Sequence, residues 1–302
     1  MFSQPVAEII RTRVSVRTYR EAPIGPEAER RLNEFIAGLP PGPFGTKPRL
    51  MLLTARAGDE AALKGLGTYG MIRHPAGFVV GAVEGGGRGL EDFGYLMEAI
   101  ILRATDLGLG TCWLGGTFRK SRFAAAIGAG EGESVPAVVS IGIPVEKRSF
   151  RESLIRRVAG SDTRLPWDRV FFSGSFAEPL TAEAAGSYAV PLEMVRLAPS
   201  ASNKQPWRVV KASGRPVFHF FLRASKGFDR GEDRIARPAD LQRVDIGIAM
   251  CHFELTAEEM KLPGAWETAD PGSPSLPATM KYIATWRGRG GPAIPRPGTG
   301  GD

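Results

Sequence analysis

Apolar residues recur along the chain at two spacings. Val6, Ile9 and Ile10, and the stretch from Ala28 to Ala37, keep the three-to-four spacing of a helix face. Arg49 to Thr54 and Phe78 to Val83 are short apolar runs bounded by turn residues, as strands are. Phe93 to Leu107 is apolar around much of a helical surface and stops at Gly108, and Val135 to Ile143 is a further apolar strand. The later chain repeats the order with Leu192 to Leu197, Arg208 to Ala212, Val217 to Leu222 and Ile246 to Met260. Helices and strands mixed in this order predict an α+β layer structure and argue against a doubly wound parallel sheet.

The repetition extends to single residues. Leu39, Pro41 and Pro48 fall on Leu197, Pro199 and Pro206 at an offset of 158. Asp92, Gly94, Met97, Leu102, Leu109 and Trp113 fall on Asp245, Gly247, Met250, Leu255, Leu262 and Trp266 at an offset of 153. Two ungapped matches nearly in register predict two copies of one domain that pack as a dimer would, because the period is too long for a solenoid. The boundaries implied are a first half over 1–158, a connector over 159–187, a reduced second half over 188–285 and a flexible Gly/Pro/Arg-rich tail over 286–302.

Composition changes this picture little. Of 302 residues, 43% are hydrophobic and 24% charged, as in an ordinary globular protein. The formal charge of +7 suits an anionic ligand or a solvated basic surface, and no basic stripe interleaved with aromatics points to nucleic acid. Cys112 and Cys251, both in apolar surroundings, do not make a disulfide framework. With neither a leader pattern nor a membrane-length apolar run, the expected location is the cytosol.

Four segments carry candidate chemistry. In Arg13-Val-Ser-Val-Arg17, two guanidiniums flank the Ser15 hydroxyl at alternate positions, which on an extended segment makes a phosphate clamp or simply an exposed edge. Ala198-Pro-Ser-Ala-Ser-Asn-Lys-Gln-Pro-Trp207 places Pro199, Ser200, Asn203 and Gln205 together, suiting either a ligand rich in hydroxyls and amides or a turn before a strand. Gly108-Leu-Gly-Thr-Cys-Trp-Leu-Gly-Gly116 lets another group approach the backbone at Gly115 and Gly116, with Trp113 and Leu114 as walls, or serves as a Gly-terminated helix entering a buried strand. After the strand ending at Pro144, Lys147 and Arg148 could add charge around a phosphate. His74, His219 and His252 show no metal spacing, and His252 reads as a satisfied interior residue.

Arg-x-Ser-x-Arg, Pro-Ser-x-x-Asn-x-Gln-Pro-Trp and Gly-Leu-Gly-x-Cys-Trp-x-Gly-Gly together resemble the signatures of the nitroreductase family, in its two-halved "putative TM nitroreductase" form, over roughly residues 6 to 270. The resemblance implies an FMN-binding α+β fold of two pseudo-symmetric halves, each with a mainly antiparallel sheet flanked by helices. It also implies FMN between the halves and hydride from NADH or NADPH to a small acceptor such as a nitroaromatic or quinone. Carried over by position, Arg13, Ser15 and Arg17 hold the phosphate with Lys147 or Arg148. Gly115 and Gly116 offer backbone to the ring beside Trp113 and Leu114, and Pro199, Ser200, Asn203 and Gln205 come from the other half.

The departures from the pattern are complementary. The first half has Gly42 and Gly45 where Ser and Asn belong, and the second lacks the clamp and has Leu262-Pro-Gly-Ala-Trp266 for the glycine-rich turn. One complete and one vestigial site per chain follow, in a monomer that contains its own pseudo-dimer. Val14 stands where a further clamp arginine is frequent. With FMN as the reactive group, no catalytic side chain and no metal are needed. The partners expected are small molecules, not nucleic acid or a membrane. The alternative function is an FMN-binding scaffold, sensor or storage protein without turnover. The stretch from Ala57 to Pro75 is a candidate lid or an ordinary surface loop.

Overall fold

The computed structural model describes residues 2–54, 63, 66, 68, 70–116, 118–145, 163–224, 238–270, 276 and 279–289. In chain order its elements are helices α1 (Val6–Thr12) and α2 (Pro26–Gly38), strands β1 (Arg49–Thr54) and β2 (Gly77–Glu84), helix α3 (Gly89–Asp106), strand β3 (Gly110–Leu114) and helix α4 (Lys120–Ala126). There follow strands β4 (Glu133–Ser134), β5 (Val138–Gly142) and β6 (Phe171–Ser173), helices α5 (Ala182–Ala185) and α6 (Ala189–Leu197), and strands β7 (Trp207–Lys211) and β8 (Val217–Arg223). Helix α7 (Pro238–Glu259) and strands β9 (Gly264–Glu267) and β10 (Met280–Gly288) complete the order.

The strands form one sheet per half. The first has the order β1-β2-β5-β3 with β4 added on β2, and every pairing is antiparallel. The second has the order β6-β7-β8-β10-β9, antiparallel except for β6 against β7. Side-chain alternation explains the unbroken apolar run of β2. Val79 and Val83 enter a core shared with the central helices, while Phe78, Val80 and Ala82 enter a second core beneath Phe118 and Phe123. The shared core joins the halves, with Leu96 and Ile100 of α3 meeting Ile246 and Phe253 of α7 and aromatic residues of the second sheet such as Trp207 and Trp286. Full burial of one such side chain contributes about 2–3 kcal/mol.

Helices α3 and α7 cross in close contact because glycines remove the obstruction. A Cβ on Gly94 would overlap the Val244 carbonyl, and one on Gly247 would overlap the Glu91 carbonyl. Glu91 and Val244 differ by 153, as do Gly94 and Gly247, so the contact is reciprocal in the way a two-fold axis requires. The two helices also end alike. In α3, Gly108 is left-handed (φ +76°), its N–H donates to the Thr105 carbonyl and that of Leu109 to Ala104. In α7, Lys261 takes the same role (φ +57°), with its N–H on Glu258 and that of Leu262 on Ala257. The first ending launches β3 directly toward the glycines at 115 and 116.

Two expected boundaries are corrected. The tail does not begin at 286: Trp286, Arg287 and Gly288 close β10, and Trp286 is buried, because its ring is needed to fill the second-half core. Within the expected connector, Phe171–Ser173 adds a parallel edge strand to the second sheet and Phe171 is buried. Leu192 to Leu197 lies in a helix, α6, and the helix expected from Ile246 begins earlier, at Pro238. Among the described residues no helix is long and apolar enough to cross a membrane.

Candidate functional site

The N-terminal arm after α1 runs beside β3. Ser15 pairs in parallel with Thr111, the Val16 N–H donates to the Thr111 carbonyl at 2.8 Å, and the Arg73 N–H donates to the Arg17 carbonyl at 2.8 Å. In this extended arm Val16 packs against Gly110, while Arg13, Val14, Ser15 and Arg17 lie on the wall of a cleft of about 530 Å³. That volume lies within the range of small-molecule sites.

The cleft gathers both halves. Trp113, Gly115 and Gly116 come from the end of β3 and its following turn, and Pro199, Ser200 and Asn203 from the loop after α6. Leu241, Val244, Asp245 and Ile248 line it from one face of α7 at helical spacing. Among the described residues, four arginines, Arg11, Arg13, Arg17 and Arg164, stand on its walls against the single carboxyl of Asp245. The balance is that of a site for an anion.

The 199–205 loop is held in an unusual shape. Ser202, Asn203 and Gln205 all have positive φ (49°, 53° and 47°), a region that favours glycine and costs on the order of 1 kcal/mol for each such residue. Side chains over-determine it: the Gln205 N–H donates to Ser200 Oγ at 2.8 Å and the Ala201 N–H to Asp245 Oδ1 at 2.9 Å. Asn203 donates through Nδ2 to the Thr163 carbonyl at 2.9 Å, and Gln205 Oε1 accepts from the Leu165 N–H at 2.8 Å. The loop thereby fixes the incoming 163–165 segment, which carries Arg164 to the cleft.

Not every residue expected at the site is there. Gln205 is buried and does not line the cleft, because its amide is committed to Leu165 and to the Asn203 carbonyl. Leu114 points to the opposite face of β3 from Trp113, into the second core with Cys112. Lys147 and Arg148 lie outside the described residues. Much of the stretch 57–75 does so as well, and its described residues do not line the cleft; Ile72 is buried in the second core.

Behind the cleft lies a polar cluster of which the sequence pattern revealed one member, His252, as a satisfied interior residue. Glu98 of α3 and His252 of α7 are both fully buried, with Nε2 of the imidazole 3.0 Å from Oε1 of the carboxyl. His252 Nδ1–H donates to the Met194 carbonyl at 2.9 Å, so the bond between Nε2 and Glu98 holds one further proton. Trp113 Nε1–H donates to Glu98 Oε2 at 2.8 Å, and Arg13 Nε stands 3.8 Å from Oε1. One buried carboxyl therefore orients two cleft residues, Arg13 and Trp113. For Glu98 the one hint was a carboxylate-bearing position on an otherwise apolar helix face.

The other half presents a shallower counterpart. It is lined by Trp266, Arg88, Thr268 and Ala269, which the offset of 153 matches to Trp113, Leu241, Gly115 and Gly116 of the main cleft, and by Phe44, which the offset of 158 matches to Ser202. The Arg88 guanidinium lies 5.1 Å from the centre of the Phe44 ring.

The family model described as "Putative TM nitroreductase" matches residues 5–257. The chain belongs to this family. No curated protein matches it. Among solved structures, a putative nitroreductase from Thermotoga maritima is 22% identical over 95% of this chain and 94% of its own, with a TM-score of 0.57. A nitroreductase with bound FMN from Bacteroides fragilis is 21% identical over 49% of this chain and 92% of its own, with a TM-score of 0.38. A nitroreductase-family protein from Clostridium difficile is 15% identical over 53% and 92%, with a TM-score of 0.40. The α+β architecture with one antiparallel-based sheet per half is thus the nitroreductase fold.

Proposed function

We propose that this nitroreductase-family chain binds one FMN in the cleft and works as an oxidoreductase, taking hydride from NADH or NADPH and reducing a small organic acceptor of the nitroaromatic or quinone kind. The observation that carries the reading is the convergence of Arg13, Ser15 and Arg17 from one half with Pro199, Ser200, Asn203 and the face of α7 from the other on one cleft. The chain's residues fit the group. Arginines supply charge for a phosphate, Gly115 and Gly116 line the cleft, Gly116 with open space where a Cβ would stand, and two buried polar atoms, Arg13 Nε and Asp245 Oδ2, make no hydrogen bond among the described residues.

Bound FMN supplies reversible two-electron chemistry; the protein supplies binding, orientation and electrostatics. Arg13 and Arg17, with the Ser15 hydroxyl, anchor the phosphate, and Glu98 holds Arg13 from behind. Leu241, Val244 and Ile248 make one wall apolar and exclude water from the ring, while Trp113, pinned through its indole N–H, closes another side. No side-chain acid or base is assigned.

Among its described lining residues the counterpart cleft has Arg88 as its one arginine and Thr268 and Ala269 where the main cleft has glycines, which supports a single FMN per chain and a monomer containing its own pseudo-dimer from an internal duplication. The visible spectrum of the purified protein, with the released flavin identified and counted, tests the reading. One FMN per chain, bleached by NADH or NADPH and recoloured by a quinone, is expected. Failure to take up FMN from excess overturns the flavin reading, and bound flavin that neither donor bleaches replaces the enzyme with a scaffold, sensor or storage protein.

A further inference from the structure

Asp245 is the one carboxyl side chain among the described residues lining the cleft, and it is 3% exposed. Its Oδ1 accepts the Ala201 N–H at 2.9 Å, while Oδ2 is buried with no hydrogen-bond partner among the described residues. The matching aspartate of the first half differs in one respect. Asp92 uses both oxygens, Oδ1 accepting from the Phe44 N–H at 2.9 Å and Oδ2 from the Thr46 N–H at 2.8 Å. Each aspartate therefore ties the central helix of its half to the loop before that half's sheet, and only the one on the cleft wall keeps an oxygen in reserve.

Resting on the flavin reading, we propose that Asp245 is a ligand-contacting residue that donates a hydrogen bond from Oδ2 to an acceptor atom of the bound FMN, while Oδ1 keeps the 199–205 loop in place. To donate, the carboxyl must carry a proton. Its surroundings favour that: burial lifts it well above the ordinary carboxylate range, and the Ala201 amide is the group that opposes the shift. The arginines of the cleft serve the anionic end of the ligand, whereas a neutral acid satisfies an uncharged acceptor on the ring or ribityl chain without adding charge to an apolar wall. The role differs from that of Ser200, whose hydroxyl oxygen is engaged by the Gln205 amide.

Difference infrared spectra of the full chain, wild type against Asp245→Asn at neutral pH, read the carboxyl directly. A protonated carboxyl band absent from the Asn variant, which shifts when FMN is added, is expected. Titration of FMN into the apo-protein, followed by flavin fluorescence, gives the second readout. Asp245→Asn, which keeps an acceptor for Ala201 and a donor for the ligand, is expected to bind within about threefold of wild type, and Asp245→Ala roughly tenfold more weakly. Absence of the band, a band unmoved by FMN, or equal affinity in all three proteins overturns this inference alone. A wild-type protein that takes up no FMN overturns the flavin reading and this inference with it.

Discussion

Gly94 and Gly247 each lie against the backbone of the helix that carries the other, at the crossing of α3 and α7. Gly247→Ala would gain up to about 1 kcal/mol of helix propensity but forces a methyl group into the Glu91 carbonyl, which no side-chain rotation can relieve. A net loss of about 1–3 kcal/mol is expected, lowering Tm by several degrees. Because α7 forms one wall of the cleft, FMN affinity falls as well. Thermal unfolding and FMN titration of the variant check both.

Lys261 holds a left-handed position that its counterpart Gly108 fills without strain. Lys261→Gly relieves about 1–2 kcal/mol of strain and restores part of it as chain entropy in the unfolded state. The expected result is a gain of about 0.5–1 kcal/mol, seen as a higher denaturant midpoint with an unchanged slope.

Asp245 makes stability fall as pH rises. Its folded-state pKa is raised above the unfolded value by burial, so its favourable contribution is complete below the ordinary carboxylate range and is lost as pH rises toward the folded value. Asp245→Asn removes that dependence. The variant is expected to melt at a higher temperature than wild type at neutral pH, with the difference closing under acid conditions; melting curves at two pH values decide it.

Arg17 and Gln205 separate binding from folding. Arg17→Gln is expected to weaken FMN roughly ten- to a hundredfold while leaving riboflavin, which has no phosphate, nearly unaffected. Gln205→Ala instead leaves the buried Leu165 amide without its acceptor and costs about 1–3 kcal/mol of stability. Parallel titrations with FMN and riboflavin, beside urea unfolding, distinguish the two effects.

The Glu98–His252 pair couples the halves. His252→Leu leaves a buried carboxyl and the Met194 carbonyl without their partner, and a loss of about 3–5 kcal/mol is expected. Glu98→Gln, which keeps an acceptor for Trp113, costs less. The double variant is expected to lose less than the two single losses combined, and unfolding of all four proteins measures that coupling.

The sequence by itself determined what depends on local pattern. Periodicity marked the central helices and most strands, and the matched offsets made Asp245 the counterpart of Asp92 and Gly247 that of Gly94. The alternate spacing of Arg13, Ser15 and Arg17 was enough to bring two guanidiniums and a hydroxyl to one cleft, which Val14 lines as well. Tertiary structure alone decided where neighbouring motif residues point and what they spend their polar groups on. Leu114 is turned away by the pleat of β3, and Gln205 is consumed by a backbone amide forty residues earlier in the chain, at Leu165. Glu98, His252 and Arg164 reach the site from segments with no shared motif, because burial and hydrogen-bond partnership are set by which surfaces meet across the α3–α7 crossing. Such long-range pairings leave no period in a linear sequence.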